Sequence, residues 1–206
     1  MTPAWYFDFI SPFAYLQWQR LQALGVAVRP VPVLFAAVLD HFGHKGPAEM
    51  GSKRRFTYRH VLFEAERRGI PFRFPDAHPF NPLAALRLAV ALGAQPDAVD
   101  AIFAQIWARG GSTEDFAELA RRFGIDDVAA ATARADVKST LRANTEAAIA
   151  RGVFGVPTLA IGDELFWGDD ATPMALAYRD DPTLFARADY ARIDALPMAS
   201  VRKAAG

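Results

Sequence analysis

Trp5-Tyr6-Phe7-Asp8-Phe9-Ile10-Ser11-Pro12-Phe13-Ala14-Tyr15-Leu16 changes its period part-way along, and that change sets the fold. Up to Ile10 the residues are aromatic or β-branched apart from Asp8, which predicts a buried strand over about residues 4–9. From Phe13 to Leu24 the apolar residues recur at helical spacing. Ser11 before Pro12 marks the joint, because Ser is a favoured N-cap and Pro fits the first helical position. Gly25 stands where a helix C′ favours glycine. Val26, Val28, Val31 and Val33 then alternate as a second strand over 26–33, and Pro30 and Pro32 restrict it to an edge or an irregular course. A strand that breaks at Ser-Pro into a helix leaves a hydroxyl and free N–H groups at a helix N-terminus, where anions are stabilised. The plain alternative for Ser11 is a cap with no further role.

Composition narrows the classes. The chain has 206 residues, 52% of them hydrophobic, enough to bury a full core as one domain or as a domain with a sizeable insertion. Its 23 Lys and Arg balance 23 Asp and Glu, so charge favours neither nucleic acid nor an anionic membrane surface. With no basic leader before an apolar stretch and no long apolar run, the expectation is a soluble, cytoplasmic protein. There is no Cys, which excludes disulfides, thiolate metal sites and a Cys-x-x-Cys redox pair. Any sulfur chemistry must use sulfur carried by a ligand.

From about Phe35 to Ile149 the pattern is helical. Helices are predicted over 53–68 with Gly69 as the stop, 82–92, 96–109, 113–123, 126–133 and 136–151, with a Pro-rich connector at 70–75. Ser112 with Asp115 resembles a capping box at the start of one of them. Beyond Gly152 the β character returns. Thr158-Leu159-Ala160-Ile161 and Glu164-Leu165-Phe166-Trp167 flank Gly162-Asp163, which predicts a hairpin with a tight primed turn. A last helix is expected over 171–178.

The order β-α-β, helices, α-β-β-α predicts an α/β class, a thioredoxin-like fold with an inserted all-helical domain. The thioredoxin-like part covers 1–35 and 136–180, the insertion 36–135, and 181–206 is a C-terminal extension. In this arrangement Ser11 faces Val156-Pro157, ahead of the third strand. The pattern Gly-Val-Phe-Gly-Val-Pro-Thr suggests a cis bond before Pro157, with the Val156 N–H and C=O turned outward where an extended peptide pairs as an added strand. The alternative is a simple turn proline.

Three segments together, 7–16, Gly152-Val153-Phe154-Gly155-Val156-Pro157-Thr158 and Leu165-Phe166-Trp167-Gly168-Asp169-Asp170, resemble the 2-hydroxychromene-2-carboxylate isomerase family. That family is similar to kappa-class glutathione transferases and belongs to the DsbA-like branch of the thioredoxin superfamily. The resemblance spans nearly the whole chain with the motifs in order. It implies a glutathione-dependent isomerase interconverting 2-hydroxychromene-2-carboxylate and trans-o-hydroxybenzylidenepyruvate in naphthalene-type aromatic catabolism, acting as a homodimer on a small aromatic carboxylate. By that resemblance Ser11 contacts the glutathione sulfur, Val156 with Pro157 holds the cysteinyl part, and Asp169 with Asp170 lies near the γ-glutamyl end. A hydroxyl donor at a helix N-terminus favours thiolate over thiol, so Ser11 activates a borrowed nucleophile.

Residues 43–56 align with a cleft-lining loop and helix start of that family. His44 falls where kappa-class enzymes carry an Asn that holds glutathione. Lys45, Lys53 and Arg54 are candidates for the glycyl or substrate carboxylate, against the alternative of a solvated basic face. Asn81 reads as a helix cap, and family similarity makes it a candidate for substrate contact. His41, His60 and His78 read as surface or locally hydrogen-bonded, with no metal-ligand spacing. Asp8 in an apolar strand needs a partner or a raised pKa, and reads as a structural anchor rather than a proton acceptor. Trp167 reads as hairpin core. Two readings stay open beside the isomerase: a glutathione transferase or DsbA-like enzyme acting on another electrophile, and a non-catalytic thioredoxin-fold binding protein.

Overall fold

The structure, a computed structural model, describes residues 2–197. Strand β1 (Ala4–Phe7) leads through a short turn to α1 (Pro12–Ala23) and then to β2 (Arg29–Pro32). Helices α2 (Phe35–His41), α3 (Gly51–Arg68), α4 (Leu83–Ala91), α5 (Pro96–Phe103), α6 (Ala117–Arg121), α7 (Val128–Ala133) and α8 (Ala135–Ala150) follow. Then come β3 (Thr158–Ile161), β4 (Glu164–Trp167), α9 (Thr172–Asp180) and α10 (Ala188–Asp194). Residues 198–206 of the expected extension lie outside the described residues.

The sheet order is β2-β1-β3-β4. β1 runs parallel to β2 and antiparallel to β3, while β3 and β4 form the expected hairpin. Gly162 in its turn has φ 58, the positive value that a glycine at the first central position of a primed turn supplies. The prolines of β2 sit on the sheet edge, as their missing N–H groups require. This is the α/β thioredoxin-like architecture that the sequence predicts.

Several boundaries differ from expectation. β1 ends at Phe7, two residues early, as the chain turns at Asp8, whose carboxylate accepts from Ile10 N–H in the turn and from Phe35 N–H at the start of α2. β2 starts at Arg29, leaving Val26 and Val28 to pack as loop residues against the core. The 113–123 helix shrinks to α6. Ser112 Oγ does accept from Asp115 N–H at 2.8 Å, but the chain then turns and the Asp115 carboxylate accepts from Ala117 N–H at 3.1 Å.

One apolar cluster runs unbroken from Trp5, Phe7 and Phe9 through Tyr15 and Trp18 to Leu86, Phe103, Trp107 and Leu119. The helices between β2 and β3 therefore share the core of the sheet, with Trp5 stacked on Trp18 at 5.0 Å and Phe9 tilted against Phe103 at 4.6 Å. A smaller cluster on the other face joins Tyr6, Val31, Val33, Ala148, Val153, Val156 and Ala160. Trp167, expected in the hairpin core, is 55% exposed instead. In the short β4 it faces opposite to buried Phe166 and edges onto Phe154 at 5.2 Å.

Candidate active site

The sheet gathers the motifs at one end. Tyr6 pairs with Thr158, so the antiparallel register carried two residues further sets Asp8 beside Val156. Thr158 also pairs with Trp167, and Gly168 N–H donates to the Pro157 carbonyl at 2.9 Å. The turn after β1, the loop before β3 and the turn after β4 are thus neighbours. Gln17 of α1 ties them from behind: it accepts from the Trp5 indole at 2.6 Å and donates to the Gly168 carbonyl and to Thr172 Oγ1, each at 2.9 Å.

Ser11 is the N-cap of α1, as its sequence implies. Its Oγ accepts from Ala14 N–H at 3.2 Å, and Pro12 occupies the first helical position. The residue is 7% exposed, and among the described residues its hydroxyl hydrogen donates to no acceptor. The cap therefore uses one lone pair and leaves the donor for a ligand, beside the positive end of a twelve-residue helix.

The turn that presents Ser11 is held at almost every polar group. Asp8, 1% exposed, accepts from Ile10 N–H at 3.0 Å and Phe35 N–H at 2.9 Å. Burial raises its pKa to about 7, and these two backbone bonds only partly oppose the rise. The Trp107 indole donates to the Phe9 carbonyl, and His78 Nε2 lies against the Ile10 carbonyl, both at 2.8 Å. Ser11 N–H donates to the Asp8 carbonyl at 3.1 Å. Asp8 thus serves as the anchor its sequence position suggests, and His78, expected at the surface or in local hydrogen bonds, is bonded instead to the distant Ile10 and Tyr58. Trp107 reaches the turn from a π-helical stretch, Ala104–Ala108, that extends α5.

The peptide bond between Val156 and Pro157 is cis. Among the described residues the Val156 N–H and carbonyl make no hydrogen bond, while its side chain is buried in the smaller cluster. On either side the Gly155 carbonyl accepts from Thr158 Oγ1 at 2.7 Å and the Pro157 carbonyl from Gly168 N–H. Val156 offers a free donor and acceptor on the residue next to the cis bond.

Asp169 and Asp170, expected to act together, have different fates. Asp169 is buried, 2.6 Å from Arg68 and 3.5 Å from Arg20, and its carbonyl accepts from Arg20 at 2.8 Å. Its carboxylate is held against Arg68 and Arg20 inside the protein, with Oδ1 left without a hydrogen-bond partner among the described residues. Asp170 is exposed. Arg68 also pairs with Glu64 at 2.6 Å, and hydrogen bonds from Arg67 and Arg68 hold the Glu64 carboxyl down at about 2.

His44, Lys45 and Lys53 are exposed on the segment leading into α3. Arg54 is also exposed, but its Nε donates to Tyr58 Oη at 3.0 Å and one Nη to the His78 carbonyl at 2.8 Å. Asn81 is exposed and accepts from Leu83 N–H at 3.1 Å, one residue ahead of Pro82, which takes the N-cap position expected of Asn81. Sequence reading assigned no part to Tyr58 or Trp107, nor a place near Ser11 to His78; only the Pro-rich His78-Pro79-Phe80-Asn81-Pro82 run hinted at the last. Two cavities of about 460 and 440 Å³ lie elsewhere, one at Asp97, Asp100, Arg109 and Arg122, the other at Pro75 and Gly110–Glu114. Among the described residues no helix is long and apolar enough to cross a membrane, and no cluster of metal-ligating side chains forms.

Comparison with known proteins agrees with this fold. The family model of the DSBA-like thioredoxin domain matches residues 4–178. A 2-hydroxychromene-2-carboxylate isomerase of Pseudomonas putida is 34% identical over 193 residues, covering 82% of this chain and 90% of that one. The chain belongs to the 2-hydroxychromene-2-carboxylate isomerase family, within the DSBA-like thioredoxin domains. Glutathione S-transferase kappa 2 of Caenorhabditis elegans is 25% identical, covering 86% of this chain and 91% of its own length. A solved structure of a 2-hydroxychromene-2-carboxylate isomerase superposes with a TM-score of 0.75 at 25% identity, covering 96% of this chain and all of that one. This family membership supports an isomerase.

Proposed function

We propose that the protein is a glutathione-dependent isomerase interconverting 2-hydroxychromene-2-carboxylate and trans-o-hydroxybenzylidenepyruvate. The observation that carries this reading is the pairing of an uncommitted Ser11 hydroxyl, at a helix N-terminus, with an uncommitted Val156 N–H and carbonyl on the adjacent loop. A peptide-like thiol fits these groups: an extended cysteinyl unit uses a free N–H and C=O as an added strand does, and its sulfur then falls toward the cap. The absence of Cys from the chain means that the sulfur is the ligand's.

Glutathione, when bound, supplies a thiolate that adds reversibly to a conjugated carbon, so that the ring opens, the bond rotates, and the thiol is regenerated unchanged. The chain's own residues do the rest. Ser11 donates to the sulfur and, with the α1 dipole, lowers its pKa. Val156, with Pro157 beside it, holds the cysteinyl backbone. Asp170 takes the γ-glutamyl ammonium, since Asp169 is engaged by Arg20 and Arg68. His44, Lys45 and Lys53 supply exposed donors for the carboxylates of glutathione and substrate, with Asn81 at the substrate side.

The test follows the chromene-to-benzylidenepyruvate absorbance change with and without glutathione, for the native protein and Ser11→Ala. Turnover is expected only with glutathione, and Ser11→Ala is expected to lower kcat by about 10²-fold, the loss of one well-placed charge-stabilising donor. Turnover without glutathione, or none with it, overturns the reading. Undiminished turnover in Ser11→Ala removes the role of the hydroxyl.

A further inference from the structure

We propose that His78 is the positioning residue for Ser11: through its Nε2–H it fixes the peptide unit that carries the Ser11 nitrogen. The inference rests on the reading of Ser11 given above, but its geometry stands alone. The Ile10 carbonyl and the Ser11 N–H belong to one planar peptide group. The carbonyl end meets His78 Nε2 at 2.8 Å, and the N–H end donates to the Asp8 carbonyl at 3.1 Å. The preceding unit is held the same way, with the Phe9 carbonyl on the Trp107 indole and Ile10 N–H on the Asp8 carboxylate. Two consecutive peptide planes pinned at both ends leave φ and ψ of Ile10 no freedom, and the Ser11 carbonyl, which accepts from the Ala14 and Tyr15 N–H groups, fixes φ of Ser11. The Ser11 Cα–Cβ direction follows from them.

The proton on His78 is directed by what lies at either end of the ring. Arg54 donates from Nε to Tyr58 Oη at 3.0 Å and from Nη2 to the His78 carbonyl at 2.8 Å. Tyr58 Oη lies 2.6 Å from His78 Nδ1. Arg has no acceptor to offer, so each of its bonds must run outward. Tyr58 Oη also lies 2.8 Å from the His78 carbonyl, so the tautomer is set from the other end: the Ile10 carbonyl can only accept, the Nε2 facing it at 2.8 Å carries the proton, and Nδ1 of the neutral ring is left to accept from the Tyr58 hydroxyl. A single chain of donors runs Arg54 to Tyr58 to His78 to Ile10, with no group asked to give twice. Burial among Phe74, Phe80 and Trp107 lowers the His78 pKa, and the Arg54 charge adds to this, so the neutral ring persists at neutral pH. The residue reaches Ser11 only through Ile10, so it orients rather than reacts.

Two substitutions of equal polarity separate positioning from filling. In His78→Gln the side-chain amide nitrogen lies near the former Nε2 and still donates to the Ile10 carbonyl. In His78→Asn it lies near the former Nδ1 and does not reach. Expected for His78→Asn is a fall of kcat by about tenfold or more, from a displaced catalytic group, with KM for glutathione within about twofold because Val156 is untouched. His78→Gln should stay within about threefold of the native kcat. A second readout is independent of turnover: nitrogen-15 spectra of the full chain should show His78 as the Nε2–H tautomer, and the Ser11 amide signal should move in His78→Asn while holding in His78→Gln.

Thermal unfolding of both variants checks that they fold. Equal kcat in the two variants, an Nδ1–H tautomer, or an unmoved Ser11 amide in His78→Asn would falsify the proposal. If the native protein shows no glutathione-dependent turnover, the function reading fails, and the tautomer and the Ser11 amide still decide the role of His78.

Discussion

The turn at Asp8–Ser11 and the loop at Phe154–Pro157 meet at the same end of one sheet, yet they use their backbone groups in opposite ways. In the turn, the carbonyls of residues 8–11 and the Ile10 and Ser11 N–H groups are committed to the Asp8 carboxylate, Trp107, His78 and the backbone around them. In the loop, Val156 keeps its N–H and carbonyl free, as Phe154 does before it, among the described residues. Catalytic orientation needs a group that cannot drift, whereas recognition of a peptide-like ligand needs donors and acceptors that nothing else has claimed. Each segment is shaped for one of these needs, and each leans on a buried carboxylate: Asp8 beneath the turn, Asp169 behind the loop.

The hardest way to break the loop is through its support. Asp169→Asn leaves Arg20 and Arg68 without their shared counter-charge, next to the Gly168 that braces Pro157. Removing one partner of a largely buried ion group is expected to cost about 3 kcal/mol in urea unfolding. Asp170→Asn, at an exposed position, should change stability by less than about 0.5 kcal/mol while raising KM for glutathione. An Asp169→Asn protein of native stability would mean that the ion group is not what holds the loop.

The turn is probed through pH. Folded Asp8 titrates at about 7, above the ordinary carboxyl value of 3.8, so the native state binds a proton that the unfolded chain has released. Its contribution to stability is therefore full below pH 3.8 and is lost as pH rises through 7. Taken as a difference, which cancels the other groups, the native protein should lose about 2–3 kcal/mol relative to Asp8→Asn between about pH 5 and about pH 8. A difference that does not change with pH removes the raised carboxyl from beneath the turn.

How much of this was legible in the sequence depends on range. Capping at Ser11 spans three residues and the 158–167 hairpin turns on Gly162-Asp163, so both follow from local chemistry. The bonds that pin the turn join His78 to Ile10 and Trp107 to Phe9, 68 and 98 residues apart, and no local pattern encodes them. The same limit explains Asp169 and Asp170. As neighbours after β4 they look alike, and only Arg20 and Arg68, brought in from α1 and α3, separate the buried one from the exposed one. Trp167 was misread because an aromatic in a strand packs on one face only, and its face is the one that Phe154 covers in part.

A smaller effect is expected where side chains crowd the open loop. A Cβ on Gly155 would clash with Trp167 Nε1, so Gly155→Ala must push the indole aside. The indole is more than half exposed and free to yield, which limits the stability cost to about 1 kcal/mol. KM for glutathione should rise, because the displaced ring lies along the loop that carries Val156, and kcat should hold, because the turn is untouched. A fall in kcat with unchanged KM would reverse the division of labour between the two segments.

The finest test concerns Val156 itself. Its side chain points into the cluster with Val31, Val33 and Ala148, while its backbone faces outward with no partner among the described residues. Val156→Ala deletes two methyl groups from that cluster, an expected loss of about 1–2 kcal/mol, and leaves the outward N–H and carbonyl in place. If the ligand is held by backbone pairing, KM for glutathione should stay within about twofold despite the lower stability. If KM rises in step with the lost packing, the side chain positions the loop as firmly as His78 positions the turn, and the contrast between a pinned segment and an open one dissolves.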